Sequence, residues 1–252
     1  QRVRCGRTSR CHFRCRVKIT WATGCATRST RAAGDEHSQK HCLGATAGRK
    51  ADRFYPGDPP ASLAEAYAVQ QDMAQQTGCA VVDWKVGLTS EAAKEAFDIP
   101  EPVAGPLFES FVIDSSLEIA VAKYDLHILE PEIGSRLGMN LPKGDRAHTC
   151  EEVIGSIDAV MPVIELATTR LPGGIKQRVK WVNTDGAYSQ TLVIGSSIHF
   201  QQRHFSLRGT RAFEDGVETS AGVGSNALSV PLAVMVRPAN HLNALGLHLR
   251  KG

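Results

Sequence analysis

The sequence has no long hydrophobic run. Its longest, LSVPLAVMV at 228–236, holds nine residues and interrupts itself at Pro231, half of the roughly 18 that a membrane-spanning helix needs. No membrane contact is expected. Acids are almost absent from the first fifty residues, which hold only Asp35 and Glu36, and none follows Glu218. Beyond residue 50 only Cys79 and Cys150 remain of the seven cysteines. Nothing there argues for a disulfide framework, and a reducing, cytoplasmic setting is the default. There is no G-x-x-x-x-G-K, no G-x-S-x-G and no H-E-x-x-H, which excludes the phosphate loop, the hydrolase nucleophile elbow and the zinc-protease helix. GVGSNA at 222–227 matches a relaxed dinucleotide fingerprint. However, the run before it is a poor strand, and the lack of any later acid removes the ribose ligand. No nucleotide cofactor is expected.

What is present divides in two. Residues 1–50 carry 12 of the 29 Lys/Arg and two of the 26 acids, so this head is +10 and the remainder −7. Five cysteines (Cys5, Cys11, Cys15, Cys25, Cys42) also lie in the head. It shows no sustained helical or strand period and few large aliphatics, a composition that does not offset the entropy of ordering. Residues 1–55 are therefore read as a basic, Cys-rich, irregular leader. A non-native, out-of-frame extension has the most weight, ahead of an organellar presequence. A zinc site from Cys11, Cys15, His37 and His41 is spaced too widely for a usual finger. For nucleic acid, only Phe13 and Trp21 supply stacking platforms, so none is the expected partner.

The body, 56–252, opens with the linker YPGDPP. Ser62 and Glu65 then have capping-box spacing, and Leu63, Ala66, Tyr67, Met73 and Ala74 share a helical face that Gly78 ends. CAVVDWKVGL reads as a buried strand and 90–97 as a short helix. Pro100, Pro102, Gly105 and Pro106 mark a loop before LFESFVI. Thr149 and Glu152 form a second capping box ahead of VIGSIDAVM. QTLVIG reads as a strand, and Asp215-Gly216 as a hairpin turn. In PLAVMVRPANHLNALG, Pro231 opens a helix that Pro238 should kink. Strands outnumber helices without regular alternation, which predicts α+β.

Chemistry concentrates in HILEPEIGSRLGMNLP, 127–142. Glu130 and Glu132 stand two apart, so in a strand both face the same side, where like charges repel. Glu165 is the one acid in the apolar PVIELATT. Taken singly, each could be a buried carboxylate paired with Lys85 or Arg136. Three acids together fit a hard divalent cation, which neutralises them and leaves positions open for water and substrate.

DWKVGLTS, GPLFESFV, LEPEI, RLG, NLP, EEVIGSIDAVMPVIEL, ANHL and LGLHLRKG together resemble the 2-keto-4-pentenoate hydratase branch of the fumarylacetoacetase superfamily, from about Ser62 onward. The resemblance implies a mixed β-roll, barrel-like, with flanking helices, and a homo-oligomer binding Mg²⁺ or Mn²⁺. It implies Glu130, Glu132 and Glu165 as metal ligands, and Lys85 and Asp185 as catalytic residues facing a small 2-oxo acid. In such hydratases a 2-hydroxypenta-2,4-dienoate tautomerises and takes up water, a step of aromatic meta-cleavage catabolism. Relatives decarboxylate 4-oxalocrotonate or hydrolyse acylpyruvates. Four differences stand out: Ser110 where Asp is common, Gly186 and Tyr188 after Asp185, Arg237-Pro238 in a helix, and an end at LRKG before the family's T-G-S loop. A C-terminally incomplete catalytic domain is expected. An inactive relative that assembles with a decarboxylase subunit is the reading of another class.

Overall fold

The computed structural model describes residues 17–21, 60–97, 99, 101–114, 128–168, 179–200, 209–223 and 234–252. The linker before Pro60, Pro100, Pro231, residues 224–227 and the four candidate zinc ligands lie outside them. In the head, Val17–Trp21 forms strand β1, antiparallel to Gly209–Glu214. These five residues depart from the irregular backbone expected there. The reason is legible afterwards: Val17, Ile19 and Trp21 alternate with polar residues, and β-branched and aromatic types favour a pleated surface.

The first helix, α1 (Leu63–Thr77), starts where Ser62 Oγ accepts from the Glu65 backbone N–H and ends at Gly78 in the left-handed region. Glu65 reaches the backbone N–H of Ala61, 2.8 Å away. Strand β2 (Val81–Gly87) and helix α2 (Glu91–Phe97) follow where expected, but β2 is not the buried strand the sequence suggested: Lys85 is its one buried residue and Val81 is exposed. The expected Pro/Gly loop is instead partly strand. β3 (Val103–Phe108) runs through Gly105 and Pro106 with all six residues buried, and pairs antiparallel with β2. Proline fits because β3 is an edge with no further partner strand among the described residues, so the missing N–H leaves no ladder position empty.

Side chains of α1 cover that edge. Tyr67 Oη accepts from the Ala104 N–H at 3.0 Å, and Gln70 Nε2 donates to Ala104 O at 3.0 Å and Asn183 O at 2.7 Å. Tyr67 and Gln70 are one helical turn apart, so a single face of α1 satisfies both backbone groups of Ala104. Gln70→Leu keeps the volume and strands two buried carbonyls. It should cost about 2–6 kcal/mol at roughly 1–3 kcal/mol per orphaned group, measured by urea unfolding.

Strand β4 (Val112–Asp114) leads to β5 (Ile128–Leu137). Helix α3 (Cys150–Gly155) has the full reciprocal capping box of Thr149 and Glu152. It is shorter than VIGSIDAVM suggested, because Ile157–Ala167 forms one continuous strand, β6. Helix α4 (Val179–Thr184), β7 (Thr191–Ile194), β8 (Ile198–His199), β9 (Gly209–Glu214), β10 (Val217–Val223) and α5 (Val236–Ala244) complete the described elements. β9 and β10 turn at Asp215-Gly216, both at positive φ, as expected. Pro238 does not kink α5. The helix begins at Val236, so Pro238 lies in the first turn, where N–H groups have no intrahelical acceptor.

Among the described residues the strands form three sheets: β1-β9-β10, β2-β3, and β4-β7-β6-β5 with β8 also on β6. β4 pairs parallel with β7 and the other pairs are antiparallel, which makes the largest sheet mixed and the fold α+β. Leu137, Leu141, Val153, Ile157, Val160 and Ala239 pack the main core between β5, β6, α3 and α5. Cys79 is disulfide-bonded, a bond the sequence did not announce, whereas Cys150 is a free, exposed thiol. No helix among the described residues is long and apolar enough to cross a membrane.

Candidate metal centre and active site

β5 and β6 are antiparallel neighbours in a register that sets Glu130 directly opposite Glu165 and Glu132 opposite Val163. Glu132 is therefore diagonal to Glu165, and all three acids share one sheet face. Pro131, between the two β5 acids, is accommodated because β5 has no partner on its other side among the described residues. One carboxylate oxygen from each of Glu130, Glu132 and Glu165 lies within 4.8 Å of the others. Like charges directly opposite in a ladder destabilise it, so this register needs a compensating cation.

Lys85 supplies part of it. Buried on β2, its Nζ lies 2.5 Å from Glu165 Oε2 and donates to Ala187 O at 3.0 Å. Glu165 is fully buried, and its Oε1 has no hydrogen-bond partner. One lysine charge does not balance three carboxylates. Burial pushes the Glu132 carboxyl up to about 8, with repulsion from Glu165 and Glu130 adding to it and Lys85 opposing. Glu165 is raised too, by burial first and against the pull of Lys85. Burial also acts to lower Lys85, but Glu165, Glu132 and Glu130 outweigh it and hold the ammonium form.

A divalent ion fits these residues. Three hard oxygen donors converge, one carboxylate oxygen is buried without a partner, and the set carries an uncompensated negative charge; such donors suit Mg²⁺ and its neighbours. The sign of the pH dependence follows. A carboxyl whose folded pKa exceeds its unfolded value stabilises the fold fully below the unfolded value, about 4.5 for Glu132, and loses that contribution as pH rises through about 8. Without divalent ions the protein should lose melting temperature across that interval. Mg²⁺ must displace the proton, so it should raise the melting temperature least at the acidic end and most above about 8. Calorimetric scans with and without Mg²⁺ check this.

Asp185 is fully buried at the end of α4, outside the carboxylate cluster. It begins a tight turn in which Gly186, Ala187 and Tyr188 all have positive φ, of 64°, 56° and 63°. The two non-glycine residues cost about 1–2 kcal/mol each in that conformation. Such strain persists where the surroundings enforce it. Here Thr168 N–H donates to Tyr188 O and Ser189 N–H to Gly186 O. Arg136, the other cationic partner considered for the acids, is engaged elsewhere, in a two-pronged pair with Asp158. Ser110 is buried with an unpartnered Oγ. The sequence did not point to Ala187, whose contribution is a carbonyl and carries no side-chain signal, nor to Gln70, which reads as an ordinary polar helix residue.

No protein-family model matches the chain. Individual proteins do. A 2-keto-4-pentenoate hydratase of Paraburkholderia xenovorans (strain LB400) is 31% identical over 200 residues, covering 77% of this chain and 72% of that protein. A 4-oxalocrotonate decarboxylase of Pseudomonas putida is 22% identical over 77% of this chain and 74% of its own length. In fold, the solved 4-oxalocrotonate decarboxylase from Pseudomonas putida G7, complexed with magnesium and adipate, superposes with a TM-score of 0.71 over 88% of this chain and 87% of that one, at 23% identity. At 31% identity to a named hydratase over more than two thirds of both chains, the protein belongs to the 2-keto-4-pentenoate hydratase family.

Proposed function

We propose that the protein is a divalent-metal-dependent hydro-lyase that converts 2-hydroxypenta-2,4-dienoate and water to 4-hydroxy-2-oxopentanoate. The observation that carries this is the convergence of Glu130, Glu132 and Glu165 beside Lys85, in a chain whose relatives include named hydratases. The three carboxylates would hold Mg²⁺ or Mn²⁺. Bound there, the ion supplies a Lewis acid and a template for the carboxylate and C2 oxygen of a 2-oxo acid.

The remaining work belongs to the chain's own residues. An ammonium has three N–H donors; Glu165 and Ala187 take two of those of Lys85, and the third is assigned to the substrate's C2 oxygen. There it stabilises the negative charge that develops as the enol proton leaves. In balance, the proton lost from the enol is matched by one gained at C5, giving the conjugated 2-oxo-3-enoate; water then adds hydroxide at C4 and a proton at C3. Asp185, buried beside the turn, is assigned to proton handling on the carbon chain. We further infer that residues 56–252 form the catalytic unit, that its sheets close into a roll, and that it works as a homo-oligomer able to associate with a decarboxylase subunit.

Loss of dienoate absorbance on adding Mg²⁺, abolished by Glu132→Gln, tests the reading. Metal-independent turnover, or none in a folded sample, would contradict it. Running 4-oxalocrotonate in parallel separates hydration from decarboxylation.

A further inference from the structure

Gly105 on β3 stands directly opposite Lys85 on β2. It is a notch rather than a side chain. A Cβ built there would lie 2.1 Å from Gly186 O, 2.7 Å from the Gly186 carbonyl carbon and 3.2 Å from Ala187 Cβ. The Gly186–Ala187 peptide therefore occupies the space a side chain would fill, and the next carbonyl, Ala187 O, receives Lys85 Nζ. The turn is fixed on its other sides as well. Gln70 holds Asn183 O just before it, and Thr168 N–H holds Tyr188 O just after the bonded carbonyl. Three consecutive left-handed residues give the segment few alternative conformations.

We propose that the Gly105 notch and the left-handed turn Gly186–Tyr188 are a positioning device that sets the Lys85 ammonium for the reaction, with Gly105 and Gly186 as positioning residues. This rests on the reading of Lys85 as the residue that faces the substrate. Without Ala187 O, the Lys85 ammonium would keep its bond to Glu165 and would be free to swing about that contact. A misplacement of about 1 Å at such a group can cost on the order of 10²-fold in rate.

The structure supplies a matched control. Gly78 and Gly186 both have φ of 64°; a Cβ would meet nothing within 4 Å at Gly78, and only Pro106 Cδ at 3.9 Å at Gly186. Alanine at either position carries the same backbone cost without a clash. Gly78→Ala, at the end of α1, is remote from the turn in sequence and makes no contact with it through its methyl. The experiment compares Gly78→Ala, Gly186→Ala and Gly105→Ala in the full chain. It reads melting temperature, kcat and KM with Mg²⁺, and acylation of Lys85 by acetic anhydride, quantified by mass spectrometry.

Gly78→Ala and Gly186→Ala should lose similar melting temperature. Gly186→Ala alone of the two should lose about tenfold in kcat, with KM changed less than about threefold, and gain several-fold in Lys85 acylation; Gly105→Ala should lose about 10²-fold in kcat. Equal Lys85 acylation in Gly186→Ala and Gly78→Ala overturns the proposal, as does increased acylation with unchanged kcat. If Gly105→Ala does not fold, the alanine pair decides. If the parent protein shows no turnover, the hydratase reading fails by itself, and the acylation contrast still decides whether the turn places Lys85.

Discussion

Lys85→Met should strongly destabilise the metal-free protein. The methionine conserves volume but removes the ammonium 2.5 Å from a fully buried carboxylate. Breaking a buried pair by deleting one partner leaves an uncompensated charge and typically costs about 3–5 kcal/mol. Glu165 would then escape ionisation by holding a proton, so the deficit should shrink as pH falls, and Mg²⁺ should restore part of it at neutral pH. Turnover should not recover with the metal. The donor assigned to the substrate oxygen is gone, and loss of one such donor costs about 10²–10³ in kcat. Urea unfolding at two pH values, with and without Mg²⁺, separates the stability effect from the kinetic one.

Glu165→Gln should have the reverse signature. The amide keeps the size of the side chain and relieves repulsion from Glu130, directly opposite across the ladder. With the amide oxygen kept toward the Lys85 donor, an NH2 stands where the unpartnered Oε1 was, and it cannot ligate the cation. Metal-free stability should therefore fall less than in Lys85→Met, because Glu132 and Glu130 still face the Lys85 ammonium and no charge is left wholly uncompensated. The Mg²⁺-induced rise in melting temperature should disappear, and with it turnover. A variant that folds well yet no longer responds to Mg²⁺ separates a ligand from a structural acid. Lys85→Met, by contrast, should be less stable and still respond to Mg²⁺.

The site was more legible in the sequence than the backbone that carries it. Glu130 and Glu132 could be placed on one face because strand periodicity is local, and the E-P-E string announces an exception to that periodicity's usual apolar alternation. Glu165 could be picked out because it is a lone acid in an apolar run. Their meeting depends on the β5–β6 register, which is a long-range property, and the resemblance to a family was what tied the two segments together. Local signals misled where tertiary context overrode them. Gly105 and Pro106 read as loop formers, yet the edge position of β3 and the close approach of Gly186 call for a residue without a side chain followed by one without an N–H. Pro238 read as a kink because the helix start was placed at Pro231 instead of Val236. VKITW has a period-two pattern, but five residues of it are too short a signal to stand out in a basic, Cys-rich head. The left-handed turn after Asp185 has glycine at only one of its three positions, and Ala187 and Tyr188 carry no sequence sign of positive φ.

The account depends on a cation joining carboxylates from two strands. Crystals grown with Mn²⁺ and measured at an energy where manganese scatters anomalously test that directly. The account predicts one strong anomalous peak per chain, within coordination distance of an oxygen from each of Glu130, Glu132 and Glu165, with Lys85 still bonded to Glu165. A Glu165 carboxylate lying apart from the β5 pair, or the absence of a peak at the triad in saturating Mn²⁺, would contradict it.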